Sequence, residues 1–308
     1  MTNLAYIFPG QGAQYVGMGE DFYHQYPQSR QVFEQANQIL NFDLTALIFN
    51  GPFEQLTRTA YCQVAIFTVS IAYLQAWESE FPQQPASVTA GLSLGEYAAL
   101  VAAGAISFED GLRLVQIRAQ YMEEASQKKP GGMVSVLGLS LEAVEALTRQ
   151  TQTEVANLNS PGQIVISGSA QALEQAKEKA HALGAKKTIV LNVGGAFHSS
   201  FMEPARQELV KALEKTEIRP PRIPVISNVT AQEARSVQEI RENLARQVVA
   251  RTLWEDSVRK ISASGVQDFL EIGPGKVLKG LLRKIDPALR VYTIETVQDL
   301  ASLKGELL

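Results

Sequence analysis

Short apolar runs that alternate with helical patterns constrain the fold of this chain more than any other feature of its sequence. Four such runs are predicted as buried strands: Leu4–Phe8, Ser87–Gly91, Ile223–Ser227 and Asp268–Ile272. The stretches between and after them have helical patterns, at Gln28–Leu40, Gln63–Glu80, Glu96–Ala103, Ser107 to about Ala125, Pro204–Thr216, Val237 to Ser262 and Gly273 to Ile285. Short apolar strands joined through helices are typical of a parallel sheet that is covered on both faces. We therefore predict an α/β fold.

The segment 128–195 has a different pattern. It follows a break at Gln127-Lys-Lys-Pro-Gly-Gly132, and its Asn159-Ser-Pro-Gly162 is predicted as a turn between two strands. Strands and helices are predicted in the order βαββαβ, at Met133–Leu139, Ser140–Gln150, Glu154–Asn159, Gln163–Gly168, Ser169–Leu183 and Lys187–Val193. This order is that of a ferredoxin-like domain. We predict that residues 1–127 and 196–308 form a large α/β domain and that residues 128–195 form a small domain inserted into it.

The composition of the 308 residues excludes several classes of protein. Hydrophobic residues make up 45% and charged residues 19%, which leaves ample material for a core. The net charge of −4 and the lack of long charge runs argue against nucleic acid and against an anionic membrane surface. The single cysteine, Cys62, excludes an internal disulfide. We expect no signal peptide, and no apolar run is expected to approach the ~20 residues of a membrane span. We expect a soluble, cytoplasmic protein.

Ser93 lies between two glycines in Gly91-Leu-Ser93-Leu-Gly95, at the junction of a predicted strand and a predicted helix. This is the context of a nucleophile elbow, in which the glycines permit a sharp turn that exposes the hydroxyl. The start of a helix also offers free N–H groups to a developing oxyanion. The alternative is structural, because Ser93 and Glu96 also have the spacing of a capping box. The local sequence leaves both interpretations open.

A serine nucleophile requires a base, and the chain has three histidines. His24 lies in a loop or at a helix end, and His181 lies in a polar helix. His198 follows two glycines after a predicted strand, where the chain leaves the small domain for the large one. Ligands often bind in clefts between domains, so His198 is the best candidate for the base, although a structural role for it remains open.

Arg118 is predicted to lie on an apolar face of its helix. Its neighbours at helical spacing are Leu114, Val115, Tyr121 and Met122, whereas Arg113 in the same helix faces acidic and polar residues. A buried guanidinium needs an anion, and no acid is supplied locally. The partner is either a distant carboxylate of the protein or a carboxylate of the substrate, held by two hydrogen bonds.

The other glycine-rich segments do not fit nucleotide-binding motifs. Gly10-Gln-Gly12-Ala-Gln-Tyr15 lacks the third glycine of a dinucleotide-binding motif, and Gly273-Pro-Gly275-Lys276-Val277 lacks the serine or threonine of a P-loop. One cysteine and three scattered histidines also argue against a metal site.

Six motifs occur in a fixed order along the chain: Ile7-Phe-Pro-Gly-Gln11-Gly, Gly91-Leu-Ser93-Leu-Gly-Glu-Tyr97, Arg118, Asn157-Leu-Asn-Ser-Pro-Gly-Gln163, Ala196-Phe-His198 and Glu271-Ile-Gly-Pro-Gly-Lys276. Together they resemble the malonyl-CoA:acyl carrier protein transacylases of fatty acid synthesis. The resemblance covers residue 7 to about residue 285. It implies an α/β-hydrolase-like large domain and a ferredoxin-like small domain. The implied reaction is malonyl transfer from malonyl-CoA to holo-acyl carrier protein through a malonyl-serine ester, without a metal or redox cofactor.

The resemblance also implies roles for individual residues. Ser93 would be the nucleophile, His198 its base, and Arg118 the partner of the malonate carboxylate. The remaining roles fall on the backbone N–H groups of Gln11 and Leu94 as the oxyanion hole, the backbone carbonyl of Gln247 as the group that orients His198, and Phe197 as a wall that crowds a methyl-branched substrate. Because a carbonyl orients the histidine in this family, Asp256 is not expected to be a catalytic acid. Leu92 departs from the family, in which many members have histidine before the nucleophile.

Overall fold

The computed structural model describes residues 3–307 of the chain. The strands are β1 (Leu4–Phe8), β2 (Val88–Gly91), β3 (Gly132–Leu137), β4 (Glu154–Ser160), β5 (Gln163–Gly168), β6 (Lys187–Val190), β7 (Val225–Ile226), β8 (Thr252–Leu253), β9 (Asp268–Ile272) and β10 (Arg290–Ile294). The helices are α1 (Glu20–Gln25), α2 (Pro27–Leu40), α3 (Leu44–Asn50), α4 (Phe53–Thr57), α5 (Thr59–Glu80), α6 (Gly95–Ala102), α7 (Phe108–Lys128), α8 (Leu141–Thr151), α9 (Ala170–Ala182), α10 (Glu203–Lys215), α11 (Val237–Gln247), α12 (Trp254–Ala263), α13 (Val277–Ile285) and α14 (Val297–Leu307).

The first sheet has the order β10-β9-β1-β2-β7, and all of its neighbouring strands are parallel. Strand β1 lies at its centre and is buried along its whole length. Tyr6 and Phe8 pack into one hydrophobic cluster, whereas Ala5 and Ile7 pack into another. Because alternate residues of a strand point to opposite faces, both faces of the sheet are covered. The prediction of a parallel α/β sheet is confirmed.

The second sheet has the order β6-β3-β5-β4-β8. Its first four strands come from residues 132–190 and pair antiparallel, with α8 and α9 between them in the chain. This is the predicted βαββαβ arrangement. The sequence missed β8, which adds to β4 in the parallel direction and comes from outside the segment 128–195. The proposed domain boundaries stay a prediction, but the second sheet extends beyond them.

Several element boundaries differ from the predictions. Lys187–Val193 was predicted as one strand, but β6 ends at Val190. It is a mostly exposed strand at the edge of its sheet, and edge strands are often short. Helix α13 begins at Val277 rather than at Gly273, because Gly273 and Gly275 have φ angles of 149° and 76°. The helical region Val237–Ser262 is interrupted by β8. Four helices and a strand, α1, α3, α4, α14 and β10, were not predicted.

Helix α5 corrects one expectation about apolar length. By length and composition alone it could cross a membrane, contrary to the prediction that no apolar run approaches such a span. However, 83% of an apolar 18-residue stretch of this helix is buried inside the protein. It packs against α7 and α2, with Tyr73 and Trp77 fully buried. We interpret α5 as the central core helix of the large α/β unit.

Glycines make the junction between β2 and α6 possible. A Cβ atom on Gly95 would lie 2.1 Å from the carbonyl oxygen of Phe8, and one on Gly91 would lie 2.0 Å from the backbone of Gly95. A Cβ atom on Gly10 would lie 2.5 Å from the carbonyl oxygen of Leu92. Backbone cannot move aside as a flexible side chain can. These glycines therefore let the loop after β1 pack directly against the turn that carries Ser93.

We expect Gly95→Ala to lower the free energy of unfolding by about 1–3 kcal/mol or more, because the added methyl group overpacks a backbone contact. Gly280→Ala is the matched control: it lies within helix α13, and its Cβ position has no neighbour within 4 Å. That change should be neutral or stabilising by up to ~1 kcal/mol. Thermal and urea unfolding of both variants measure the difference. Equal stability of the two variants would contradict the packing described here.

Candidate active site

Ser93 lies on a strained turn at the carboxyl end of β2. Its φ angle is 53°, in the left-handed region that residues other than glycine rarely adopt. Asn228, just after β7, holds this turn: its Oδ1 accepts from the Ser93 N–H at 2.6 Å, and its Nδ2 donates to the Gly91 carbonyl at 2.6 Å. The geometry is that of a nucleophile elbow, as the glycine spacing predicts.

The capping-box alternative for Ser93 is wrong. Helix α6 has Leu94 at its N-cap position, without a side-chain cap hydrogen bond. The carboxylate of Glu96 points elsewhere, and accepts hydrogen bonds from the Gln247 side chain at 2.5 Å and from the Asn228 N–H at 3.3 Å. The Ser93 hydroxyl is therefore available for other contacts.

His198 contacts the Ser93 hydroxyl directly. Its Nε2 lies 2.8 Å from Ser93 Oγ, and its Nδ1 lies 2.7 Å from the backbone carbonyl of Gln247. A carbonyl only accepts, so Nδ1 carries the hydrogen. In the neutral ring Nε2 then holds the lone pair and accepts from the serine hydroxyl. This is the tautomer that a general base needs.

The surroundings of His198 keep its ring neutral. The side chain is buried, and burial together with the positive charge of Arg118 lowers its pKa from 6.5 to about 4. Hydrogen bonds from the ring to backbone carbonyls oppose this shift. The imidazole is therefore ready to accept a proton at neutral pH. The other two histidines are exposed: His24 lies in α1, and His181 lies in α9 beside Thr188. Asp256 is also exposed, in α12.

Arg118 is buried beside the same hydroxyl. It is only 1% exposed, and its NH2 group donates to Ser93 Oγ at 3.0 Å and to Gln247 Oε1 at 3.1 Å. Its NH1 group donates to Gln63 Oε1 at 2.5 Å, and its Nε has no partner in the described part of the chain. Within residues 3–307 no carboxylate forms a salt bridge with it, in contrast to Arg113, which pairs with Glu109. Of the two predicted partners, the distant carboxylate of the protein thus forms no ion pair with Arg118 among the described residues.

A cavity of about 240 Å³ opens at this point between the two sheets. Ser93, His198 and Arg118 line it together, with Phe197 on the wall. The predicted oxyanion-hole residues Gln11 and Leu94, the substituted Leu92, and Asn157 and Gln163 of the second sheet also line it. All of the predicted site residues except Gln247 border the cavity, and Gln247 lies directly behind it through its contacts with Ser93, Arg118 and His198.

Sequence reasoning missed three residues that build the site. Asn228 follows β7 at the carboxyl edge of the parallel sheet, where ligand sites form, and this position could have drawn attention to it. Gln63 lies on the core helix α5, where nothing in the pattern distinguishes it. Glu96 was considered only in the alternative capping box with Ser93, whereas it is buried behind the site. Burial raises its pKa to about 7, while hydrogen bonds from Gln247 and Asn228 act in the opposite direction.

A serine on a strained strand–helix turn, paired with a neutral histidine and facing a cavity, defines an enzyme that carries acyl groups on its serine. The comparison with known families agrees with this class. A family described as the acyl transferase domain matches residues 5–294, so the chain belongs to the acyl transferase family.

Relatives and solved structures of similar length narrow the comparison. The chain is 43% identical to the malonyl CoA-acyl carrier protein transacylase of Bacillus subtilis strain 168, over 97% of this chain and 96% of the relative. It superposes on the same enzyme from Clostridium perfringens with a TM-score of 0.94 and 39% identity, over 99% and 97% of the two chains. It also superposes on a malonyl-transacylase solved with the acyl carrier protein of a type II polyketide synthase, with a TM-score of 0.96 and 36% identity, over 99% and 100%. The predicted family is confirmed.

We expect His198 to stay neutral, with its hydrogen on Nδ1, down to about pH 5, since its pKa is about 4. In Arg118→Gln the pKa of His198 should rise toward 6.5, because a nearby positive charge disfavours the imidazolium ion. NMR titration of histidine-labelled protein measures both, and His24→Gln and His181→Gln assign the signals. A lower or unchanged pKa of His198 in the Arg118 variant would contradict the electrostatics described.

Proposed function

We propose that this acyltransferase transfers the malonyl group from malonyl-CoA to the phosphopantetheine thiol of acyl carrier protein, in fatty acid biosynthesis. The observation that carries the proposal is the contact of Ser93 with both His198 and the unpaired Arg118. A nucleophile, a base and a buried cation then face the same small cavity. The names of the relatives agree with this substrate and this partner.

The first transfer forms a malonyl ester on Ser93. As Oγ attacks the thioester carbonyl, its proton moves to Nε2 of His198, and the carbonyl oxygen becomes an oxyanion. The backbone N–H groups of Gln11 and Leu94 would donate to that oxyanion. When the tetrahedral intermediate collapses, the carbon–sulfur bond breaks and His198 returns the proton to the CoA sulfur. Gln247 holds the ring throughout, through its carbonyl.

The second transfer reverses these roles with a different thiol. His198 takes the proton from the phosphopantetheine thiol, whose sulfur attacks the ester carbonyl on Ser93. When this second intermediate collapses, the bond between the carbonyl carbon and Ser93 Oγ breaks and His198 gives its proton to Oγ, which leaves malonyl-acyl carrier protein and the free serine hydroxyl. Two transfers through one ester give ping-pong kinetics.

Arg118 would select a substrate with a free carboxylate. The guanidinium is buried and pairs only with neutral groups among the described residues, although its Nε still needs an acceptor. A malonyl carboxylate would supply the missing negative charge. An acetyl group would leave the charge unpaired, which costs about 2–5 kcal/mol. Phe197, on the cavity wall, would disfavour an added methyl group by a smaller amount, about 1–3 kcal/mol.

Neither transfer needs a metal or redox cofactor in this proposal, because a thioester is already an activated acyl donor. Within residues 3–307 no three His, Cys, Asp or Glu side chains are grouped as metal ligands. We also propose a cytoplasmic location, where the two thioester partners of fatty acid synthesis would meet the enzyme.

We expect malonyl-CoA alone to add one malonyl group to the protein, and holo-acyl carrier protein to remove it. Ser93→Ala should show no adduct, because the attacking oxygen is gone. Ser199→Ala is a nearby control, since the hydroxyl of Ser199 donates to the backbone carbonyl of Ala196. Intact mass spectrometry before and after addition of carrier protein measures this. A persistent adduct on Ser93→Ala, or release of free malonate as fast as transfer, would contradict the proposed reaction.

We expect Arg118→Ala to lower kcat/KM for malonyl-CoA by roughly thirtyfold or more and to reduce the preference over acetyl-CoA, since a charged contact is lost. Arg113→Ala is the matched control, because Arg113 lies exposed on the same helix and pairs with Glu109. Steady-state kinetics with both thioesters measure the preference. An unchanged ratio in Arg118→Ala would remove the proposed role of the guanidinium.

A further inference from the structure

The carboxylate of Glu96 is buried behind the site and takes no part in the transfer steps. Its side chain is 3% exposed, and it lies in the first turn of helix α6, three residues after Ser93. It accepts a hydrogen bond of 2.5 Å from Gln247 Nε2 and one of 3.3 Å from the backbone N–H of Asn228. A buried acid costs free energy unless it has such partners. We therefore asked which function of the site this buried carboxylate could support.

Gln247 connects this carboxylate to all three residues of the site. Its Nε2 also donates to the carbonyl of Ser93 at 2.9 Å. Its Oε1 accepts from Arg118 at 3.1 Å, and its backbone carbonyl accepts from His198 at 2.7 Å. The side chain has no exposed surface. Rotation of its side chain would break the contacts with Glu96, Ser93 and Arg118, whereas the contact with His198 is made by the backbone.

The charge of Glu96 helps to fix which way the Gln247 amide faces, together with the Ser93 carbonyl and Arg118. A carboxylate can only accept, and a guanidinium can only donate. The NH2 group of the amide must therefore face Glu96, and its oxygen must face Arg118. The flipped amide would place donor against donor and acceptor against acceptor. A neutral side chain at position 96 could donate as well as accept, so it would no longer oppose the flipped amide, and only the Ser93 carbonyl and Arg118 would do so.

The same arrangement keeps the guanidinium available. The negative charge of Glu96 favours the charged form of Arg118, but the amide of Gln247 lies between the two groups. A direct ion pair would occupy the nitrogen atoms that a substrate carboxylate needs. With the amide between them, Glu96 offsets part of the buried charge and leaves Arg118 Nε without a partner.

We propose that Glu96 is a positioning residue, whose carboxylate acts through the side chain of Gln247 to hold the backbone of Ser93 and the guanidinium of Arg118 in their reactive arrangement. Its effect on malonyl selectivity rests on the proposed function. Its effect on the reactivity of Ser93 does not.

Glu96→Gln tests this with little change in shape. At pH 8, above the pKa of Glu96, the variant should acylate from malonyl-CoA about tenfold to a hundredfold more slowly per folded molecule, as expected for loss of a charged hydrogen bond. Its preference for malonyl-CoA over acetyl-CoA should fall as well. Native rate and native preference in folded Glu96→Gln would overturn the proposal.

A double-mutant cycle separates positioning from a general structural effect. Gln247→Met keeps the backbone carbonyl but removes the amide, so it should lower rate and preference by a similar factor. Glu96→Gln added to Gln247→Met should then have little further effect, because the connection is already lost. Fully additive losses would overturn the proposal. If Glu96→Gln does not fold, Gln247→Met alone is measured, and a native rate and native preference in that variant would overturn the proposal.

Glu271→Gln is the control for a buried glutamate outside the site. Glu271 accepts from the backbone N–H groups of Leu278 and Lys279, at 2.9 and 2.8 Å, at the start of α13. The Glu271→Gln substitution should lower the melting temperature and leave the preference for malonyl-CoA over acetyl-CoA unchanged. A loss of preference there equal to that in Glu96→Gln would overturn the proposal, because any buried glutamate would then have the same effect.

Labelling of Ser93 by a fluorophosphonate probe keeps the two proposals distinct, since it requires only the serine and its base. Slow labelling of Glu96→Gln supports positioning even if the unsubstituted protein does not react with malonyl-CoA. Native labelling of Glu96→Gln, with normal malonyl transfer by the unsubstituted protein, overturns this inference alone.

Discussion

A buried guanidinium without a carboxylate partner is the feature on which the site depends. Arg118 is 1% exposed, and among the described residues it meets only uncharged acceptors, including the hydroxyl of Ser93. Burying such a charge is unfavourable. Hydrogen bonds to Gln63 and Gln247 and the negative charge of the more distant Glu96 offset part of this cost. Burial, together with this positive charge, lowers the pKa of the adjacent His198, so its ring is neutral. In the proposed reaction, the same residue would also select the substrate.

The parallel sheet brings these groups together. Strands β1, β2, β7 and β9 all point their carboxyl ends toward the same edge, so the loops carrying Gln11, Ser93, Asn228 and Gly273 converge there. The left-handed conformation of Ser93 is unfavourable by itself, and it persists because Asn228 and close backbone packing at Gly91 and Gly95 fix the turn. The second sheet closes the other side of the cavity with Asn157 and Gln163.

The sequence predicts the parts of this structure that depend on local pattern. Apolar runs and helical spacing locate β1, β2, β9 and the βαββαβ segment, and the glycines around Ser93 predict its turn. Contacts between residues far apart in the chain lie beyond such reasoning. Asn228 reaches Gly91 across 137 positions, and Gln247 reaches Ser93 across 154. The carbonyl of Gln247 was expected beside His198 only from the family resemblance. Glu96 entered only as the acid of the alternative capping box with Ser93, and nothing in its local sequence places it beside Gln247.

The most direct test is a crystal structure of the protein after reaction with malonyl-CoA in the absence of carrier protein. The account predicts an ester on Ser93 Oγ, with the free carboxylate of the malonyl group about 2.7–2.9 Å from nitrogen atoms of Arg118. The ester carbonyl should point toward the backbone N–H groups of Gln11 and Leu94. A malonyl carboxylate that faces solvent, while Arg118 keeps only its contacts with Gln63 and Gln247, would contradict the account.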